Sequence, residues 1–153
     1  MRKHNKGFTL IEVLIALVIL AIGLLGMSSL MMTSMQSSQS AYLRSQASLL
    51  AYDLVERMRA NSNQAITSDS YVFSLSSEAP TDPTCASTGC TPSQQAQRDL
   101  FQWRAALTGS IPGATMVIAR TNPNKYVITI AWSEASALKR GTENLNFVVS
   151  ADL

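Results

Sequence analysis

The chain has 153 residues, enough for one domain plus an anchor, and charged residues make up only 14% of it. Twelve basic and ten acidic residues give a net charge of +2, and three of the basic ones are Arg2, Lys3 and Lys6. This balance excludes a basic nucleic-acid-binding face, so no nucleic acid partner is expected. Because His4 is the sole histidine, we predict no catalytic residue, metal site or cofactor in the remainder.

An uncharged stretch lies between Glu12 and Arg44, and its most apolar part is the segment 13–32. Twenty helical residues at about 1.5 Å each span about 30 Å, the thickness of the hydrocarbon core of a bilayer. Since basic residues precede the segment, the positive-inside tendency places the N-terminus in the cytoplasm and the remainder across the membrane. By itself the segment is compatible with a signal anchor or with a cleaved secretory signal, for which Gly26-Met27-Ser28 is a weak cut site.

A third interpretation comes from the junction before this segment, Gly7-Phe8-Thr9-Leu10-Ile11-Glu12. In motif, spacing and context it resembles the class III leader of type IV pilins and of type II secretion pseudopilins. The resemblance implies that a membrane-bound prepilin peptidase and N-methyltransferase cuts after Gly7 and methylates the new N-terminal residue, Phe8.

Glu12 places a carboxylate at the edge of the apolar segment, where a charge is costly and marks function by default. Cleavage after Gly7 would create an amine at Phe8, one helical turn before Glu12. The two groups could neutralise each other within one chain or between neighbours. The resemblance implies the second arrangement, in which Glu12 meets the Phe8 amine of an adjacent subunit during assembly. The alternative is a carboxylate that reaches the lipid headgroups.

Helical spacing predicts one long helix from about Phe8 to about Arg59, with an exposed Asp53–Arg57 pair in its second half. That half carries an apolar stripe predicted to pack in a core, formed by Leu43, Ala47, Leu50, Leu54 and Met58. The segment Ala65–Thr91 is rich in Ser, Thr, Pro and Asp and is predicted to be a loop, with a short strand at 71–75.

A second helix is predicted to start at Thr91, with Pro92 at its first position, and to end near Thr108, where Gly109 would stop it. One face of this helix is predicted to join the core through Ala96, Leu100, Trp103 and Leu107. Strands are predicted at 115–120 and 126–132 and around the alternating Leu145, Phe147 and Val149, with a connection at 133–143. The predicted fold class is α+β: a long helix packed on a small antiparallel sheet, as in the pilin fold.

Cys85 and Cys90 are the two cysteines of the chain. Two cysteines without histidine cannot fill a structural zinc site. In an exported domain they favour a small disulfide loop, and the alternative is a pair of free thiols.

The stretch 53–61, together with 16–26 and the cysteine-containing segment 83–92, resembles the minor pilins known as type IV pilus modification protein PilV. The resemblance implies a structural subunit for pilus assembly and biogenesis, with major and minor pilins and inner-membrane lipid as partners. It also implies a leader at 1–7, a transmembrane and assembly helix at 8–32 and a periplasmic head at 33–153. This bacterial inner-membrane protein would cross the membrane once before joining a surface fibre.

Two other roles are compatible with the sequence. A minor pseudopilin of type II secretion would have the same leader, and the head could be an adhesin or binding module carried on the fibre, with the cysteine loop as its candidate surface. An enzyme is not expected, since neither a phosphate-binding glycine loop nor a nucleophile elbow occurs.

Overall fold

The computed structural model describes residues 7–75, 78–85, 89–135 and 141–153. The chain divides into two compact units, an N-terminal unit that ends at Ser38 and a head unit, Gln39–Leu153. Helix α1, Leu10–Ala60, begins in the first unit and ends in the second. The other elements belong to the head unit: α2 Ser62–Thr67, α3 Pro92–Ser110, β1 Thr115–Asn122, β2 Lys125–Ala135 and β3 Thr142–Asp152.

Within the head unit, α1 buries one stripe of side chains in the core. Its buried members are Ala47, Ala51, Leu54, Val55 and Met58, and Leu43 and Leu50 pack partly buried against the same cluster. All five residues predicted for the stripe therefore face the core. Removing such side chains from water contributes about 25 cal/mol per Å² of apolar surface. This burial stabilises the head-unit part of the helix more than the helix propensity of its residues does.

The three strands form one antiparallel sheet in the order β1-β2-β3. The inward side chains of β2 are all buried, namely Tyr126, Ile128, Ile130 and Trp132. They share the core cluster with the α1 stripe, so the predicted α+β pilin fold, a long helix packed on a small antiparallel sheet, is confirmed. The predicted connection at 133–143 is wrong at both ends. Ser133 and Ala135 still pair with Asn144 and Thr142, because the β2–β3 ladder continues past Trp132.

Helix α3 begins as its sequence predicts. The Thr91 hydroxyl oxygen accepts a hydrogen bond from the Gln94 backbone N–H, and the Gln94 side chain accepts one from the Thr91 backbone N–H, which completes a capping box. The predicted apolar face is buried, and the Trp103 indole N–H donates to the Leu50 carbonyl of α1 at 2.6 Å. This bond ties α3 to α1.

Two predictions for the head segments are wrong. Gly109 does not stop α3, which continues to Ser110. A glycine costs a helix only about 1 kcal/mol, and burial of Leu107 and Ile111 on either side of it outweighs that cost. Residues 65–67 belong to α2, not to a loop, because Ala65 is buried and its carbonyl accepts a hydrogen bond from the Tyr126 hydroxyl at 2.8 Å.

Residues 71–75 do not form the predicted strand and contribute only a single β-bridge. Phe73 exchanges two backbone hydrogen bonds with Ile118 of β1, at 2.9 and 2.8 Å, and the described residues around it form no further ladder. Tyr71 is instead turned into the core and fully buried.

Candidate functional site

The segment before α1 is exposed and non-helical over Gly7, Phe8 and Thr9. The Phe8 side chain is 85% exposed. A Cβ atom added to Gly7 would meet no atom within 4 Å, and the backbone there is not in the left-handed region that favours glycine. The described part of the fold therefore does not itself require a glycine at position 7.

Thr9 and Glu12 form a reciprocal pair at the first turn of α1. The Thr9 backbone N–H donates to a Glu12 carboxylate oxygen at 3.5 Å, and the Glu12 backbone N–H donates to the Thr9 hydroxyl oxygen at 3.4 Å. This is the hydrogen-bond pattern of a capping box, and the positive end of the helix dipole also favours a carboxylate in this turn. The Thr-x-x-Glu spacing was present in the sequence, but the predicted role of Glu12 did not include capping its own helix.

The side chains of α1 in the N-terminal unit are exposed and apolar. Leu10, Ile11, Leu25 and Leu30 each leave more than 65% of their surface accessible, as does Phe8 just before the helix. Among the described helices, α1 is the one whose length and composition suit it to crossing a membrane, and its most apolar window has no buried residues. Such a surface requires lipid or other helices around it.

Two hydroxyl groups at the end of this apolar stretch are hydrogen-bonded within α1. Ser28 donates to the Leu24 carbonyl at 2.9 Å, and Thr33 donates to the Ser29 carbonyl at 3.1 Å. Because their donors are satisfied inside the helix, these groups cost less to place in lipid or against another helix than free hydroxyls would.

Cys85 and Cys90 are joined in a disulfide, with their Cα atoms 5.0 Å apart. Cys90 directly precedes Thr91, the N-cap of α3, so the bond attaches the preceding loop to the start of that helix. Gly7, Phe8 and Glu12 belong to the N-terminal unit and the two cysteines to the head unit, so the predicted site residues form two groups.

A cleft of about 530 Å³ opens beside the disulfide, lined by residues that include Arg57, Asn61, Cys90, Gln95 and Asp99. Asp99 is only 4% exposed. Its carboxylate accepts hydrogen bonds from Tyr71 at 2.7 Å and Gln95 at 2.8 Å, and it lies 3.5 Å from the Arg57 guanidinium.

Arg57 also makes the predicted pair with Asp53, at 2.9 Å. With these partners the hydrogen-bonding capacity of the buried Asp99 carboxylate is satisfied. The cluster therefore has a structural role and links α1, α3 and the loop at Tyr71. Sequence reasoning missed it, since Tyr71 and Asp99 lie far apart in the chain. Within the described ranges, no group of three or more His, Cys, Asp or Glu side chains could hold a metal ion.

Burial raises the pKa of Tyr71 above its ordinary value of 10.0, and the hydrogen bond to Asp99 raises the pKa further. The folded head therefore keeps a phenol proton that the unfolded chain releases. Its contribution to stability is complete below about pH 10, the ordinary pKa of the phenol, and declines as the pH rises further. Tyr126, whose pKa burial also raises, adds to the same decline.

We expect Tyr71→Phe to make the free energy of unfolding between pH 9 and 11 less dependent on pH, because this variant lacks one of the two phenols whose pKa burial raises. The measurement is urea unfolding of the full chain in detergent, followed by tryptophan fluorescence. Tyr42→Phe, at an exposed position, is the matched control. An unchanged pH dependence in Tyr71→Phe would contradict the assignment.

Two family models match adjoining parts of the chain. Residues 2–28 match the prokaryotic N-terminal methylation motif, and residues 29–101 match the Tt1218-like family, described as type IV pilin Tt1218. No curated protein and no solved structure matches the chain. The methylation motif implies processing by a prepilin peptidase and assembly with other pilins. The chain is therefore similar to the N-terminal methylation motif over residues 2–28 and to a type IV pilin family over residues 29–101.

Proposed function

We propose that the chain is a minor pilin, a low-abundance subunit that takes part in the assembly of a type IV pilus. The peptidase removes residues 1–7 and methylates the amine of Phe8. Residues 8–32 then hold the protein in the inner membrane, and the head, residues 33–153, lies in the periplasm until the subunit enters a fibre. The match of residues 2–28 to the N-terminal methylation motif is the observation that supports this cleavage and methylation.

The geometry around the cut supports this processing. Gly7 and Phe8 are exposed and precede the first helical residue, so an enzyme can reach the bond between them without unwinding α1. The next residues, from Leu10 onward, are helical and apolar, as expected for a segment that stays in lipid while the leader is removed.

Assembly is driven by the exposed apolar helix. When the helix leaves lipid for a fibre surrounded by water, its apolar surface must be buried among other such helices, at about 25 cal/mol per Å². Glu12 must enter that bundle with a partner, because a charge left unpaired among apolar side chains costs several kcal/mol. The methylated amine of Phe8 from a neighbouring subunit is the partner we assign to it.

The minor role, as opposed to the major one, is supported by the resemblance of 53–61 and 83–92 to PilV. A minor pilin should be present in sheared fibres in small amounts, and its deletion should reduce fibre number. We expect quantitative mass spectrometry of sheared fibres to find far fewer copies of this chain than of the major subunit, and low-level expression to restore fibres in a deletion strain.

Two results would contradict the minor-pilin assignment. If the chain is the main protein of the fibre, it is a major pilin. If it co-purifies with the type II secretion machine, and its deletion blocks protein secretion while pili remain normal, it is a pseudopilin.

A further inference from the structure

The sheet of the head unit has two edges, and the described residues cover only one of them. At the β1 edge the register is interrupted between Arg120 and Asn122, and Ile118 exchanges two backbone hydrogen bonds with Phe73. Bulges and covering segments are common means by which proteins prevent further strands from pairing with an edge. β3 forms the other edge, and no described strand pairs with its outer side.

β3 itself lacks the features that usually protect an edge strand. It pairs with β2 without interruption over all 11 of its residues. It contains no proline, lysine or arginine, and its two charged residues, Glu143 and Asp152, lie near its ends. The segment 144–151 between them is uncharged. A long, regular and uncharged edge strand is the surface on which an added strand pairs.

The hydrogen bonds show which backbone groups of β3 point away from β2. The Leu153 N–H donates to the Asn124 carbonyl at 2.8 Å, in the register of the β2–β3 ladder. Hydrogen-bonded pairs alternate along an antiparallel ladder. The backbone groups of residues 145, 147, 149 and 151 therefore face β2, and those of residues 144, 146, 148 and 150 face outward.

The β1 edge gives the same alternation independently. Because Ile118 directs its backbone N–H and C=O toward Phe73, these groups point away from β2. Ile128, which lies opposite Ile118, therefore directs its own backbone groups to the other side, toward Val149 of β3. Four residues of β3 thus each present one N–H and one C=O to a strand placed beside them.

The hydrophobic core is also incomplete at the β3 edge. The core-facing side chains of β2 are at most 3% exposed, whereas Leu145, Phe147 and Val149 of β3 are only partly buried against the same cluster. A further strand with apolar side chains at alternate positions would cover these three residues, as β3 covers β2.

A second copy of the chain does not fit this edge. If two β3 strands paired antiparallel, a 180° rotation would relate the copies, so the α1 helices packed on their sheets would point in opposite directions and could not enter the same membrane. If they paired parallel, the core face of one sheet would continue as the outer face of the other. That arrangement would place Asn144 and Asn146, instead of apolar side chains, beside Leu145.

We propose that the outer edge of β3 accepts an extended strand from a different protein that assembles with this chain. The strand pairs its backbone with residues 144, 146, 148 and 150 and carries apolar side chains at every second position, on the core side of the sheet. The choice of an assembly partner rests on the function proposed above. The edge itself lies in the head unit and does not involve Glu12.

The first test introduces a photoreactive phenylalanine analogue at Asn146 in one full-length chain and at Ser150 in another, and irradiates intact cells of the native host. We expect both positions to crosslink to one segment of one partner protein, at sites about four residues apart, because paired strands advance residue by residue. Crosslinks to scattered sites, to a helix of the partner, to lipid alone or to a second copy of β3 would overturn the proposal.

Ala119 is the matched control position for this test. It is exposed on the same outer face of the sheet, but it lies on β1. Two strand spacings place it about 10 Å further from a strand added to β3. The analogue at position 119 should not crosslink to the segment that positions 146 and 150 reach, and a crosslink of equal yield there would contradict pairing at the β3 edge.

The second test is Val148→Pro in the chain that carries the analogue at position 146. Because the Val148 N–H faces outward, proline removes a donor to the added strand and keeps the hydrogen bonds between β2 and β3. We expect the crosslink yield to fall at least about tenfold. Val148→Thr, which keeps the N–H and a branched side chain, should crosslink like the parent chain. Undiminished crosslinking in Val148→Pro would contradict strand addition.

Urea unfolding of the full chain in detergent, followed by tryptophan fluorescence, shows whether the proline variant keeps its fold. If Val148→Pro lowers the unfolding midpoint, Ser150→Pro repeats the test at another outward-facing residue. The spacing of the crosslinks from positions 146 and 150 decides the proposal without either proline variant.

These results separate strand addition from the pilin role. If the crosslinks are absent while the parent chain enters fibres, β3 does not accept a strand and the pilin role stands. If the chain never enters fibres but positions 146 and 150 still crosslink with the four-residue spacing, the pilin role is wrong and the β3 edge still binds a partner strand.

Discussion

Glu12→Val is expected to leave cleavage after Gly7 intact and to remove nearly all of the protein from fibres. Valine preserves the apolar character of the segment but leaves the Phe8 amine of a neighbour without its carboxylate. Leaving one member of a buried ion pair unpaired costs about 3–5 kcal/mol, which corresponds to a loss of about two to four orders of magnitude in incorporation. The measurement compares processed Glu12→Val in membranes with that in sheared fibres.

A competing explanation comes from the Thr9–Glu12 capping box. Loss of the capping box would destabilise the start of α1 by about 1 kcal/mol. This cost is smaller than the cost of breaking the ion pair. Glu12→Gln separates the two roles, because a glutamine side chain can still accept the hydrogen bond from Thr9 but carries no charge.

If the main role of Glu12 is to pair with the amine of a neighbouring subunit, Glu12→Gln should be nearly as defective in entering fibres as Glu12→Val. Should Glu12→Gln enter fibres like the parent chain while Glu12→Val does not, Glu12 acts by capping its own helix and the pairing role is wrong. Thr9→Ala provides the reverse control, since it removes the hydroxyl oxygen of the capping box and keeps the charge.

Gly7→Val is expected to abolish processing, so that the full-length chain accumulates in the membrane and none enters fibres. The fold does not explain this effect, because a side chain at position 7 would meet no atom within 4 Å. The β-branched valine instead obstructs the bond that the peptidase must reach. An immunoblot that resolves precursor from processed chain is sufficient to measure the result.

Gly23→Val is the matched control for Gly7→Val. Gly23 lies in the same unit, and an added Cβ atom there also meets no atom within 4 Å. The control chain should be cut normally. Processed protein from Gly7→Val in an amount close to that of the parent would refute the assigned cut site.

The elements that the sequence predicted correctly are those in which one local pattern decides the structure. The stripe from Leu43 to Met58 needed only helical spacing, and β2 needed only alternation from Tyr126 to Trp132. The start of α3 was specified by three residues within one turn, namely Thr91 and Gln94 of the capping box and Pro92 at the first helical position. Each of these patterns also agrees with the burial that the fold imposes.

The missed features depend on contacts between distant residues. Helix α2 is held by a hydrogen bond from Tyr126 to the Ala65 carbonyl, and Arg120 adds a bond to the Ile66 carbonyl and one to Asp69 at 2.9 Å. Nothing in the local Ser-rich sequence reveals these partners. The Tyr71–Asp99 bond likewise required knowing how the loop folds onto α3. At the N-terminus the motif predicted the processing site, but a motif cannot give the capping geometry of Glu12.

The most direct test of the pilin role is the intact mass and N-terminal sequence of the native protein, taken from sheared fibres and from membranes. We expect a chain that lacks residues 1–7, begins at Phe8 and carries one added methyl group on its amine. A working protein that retains residues 1–7, or one that begins at Ser29 after cleavage by a secretory signal peptidase, would contradict it.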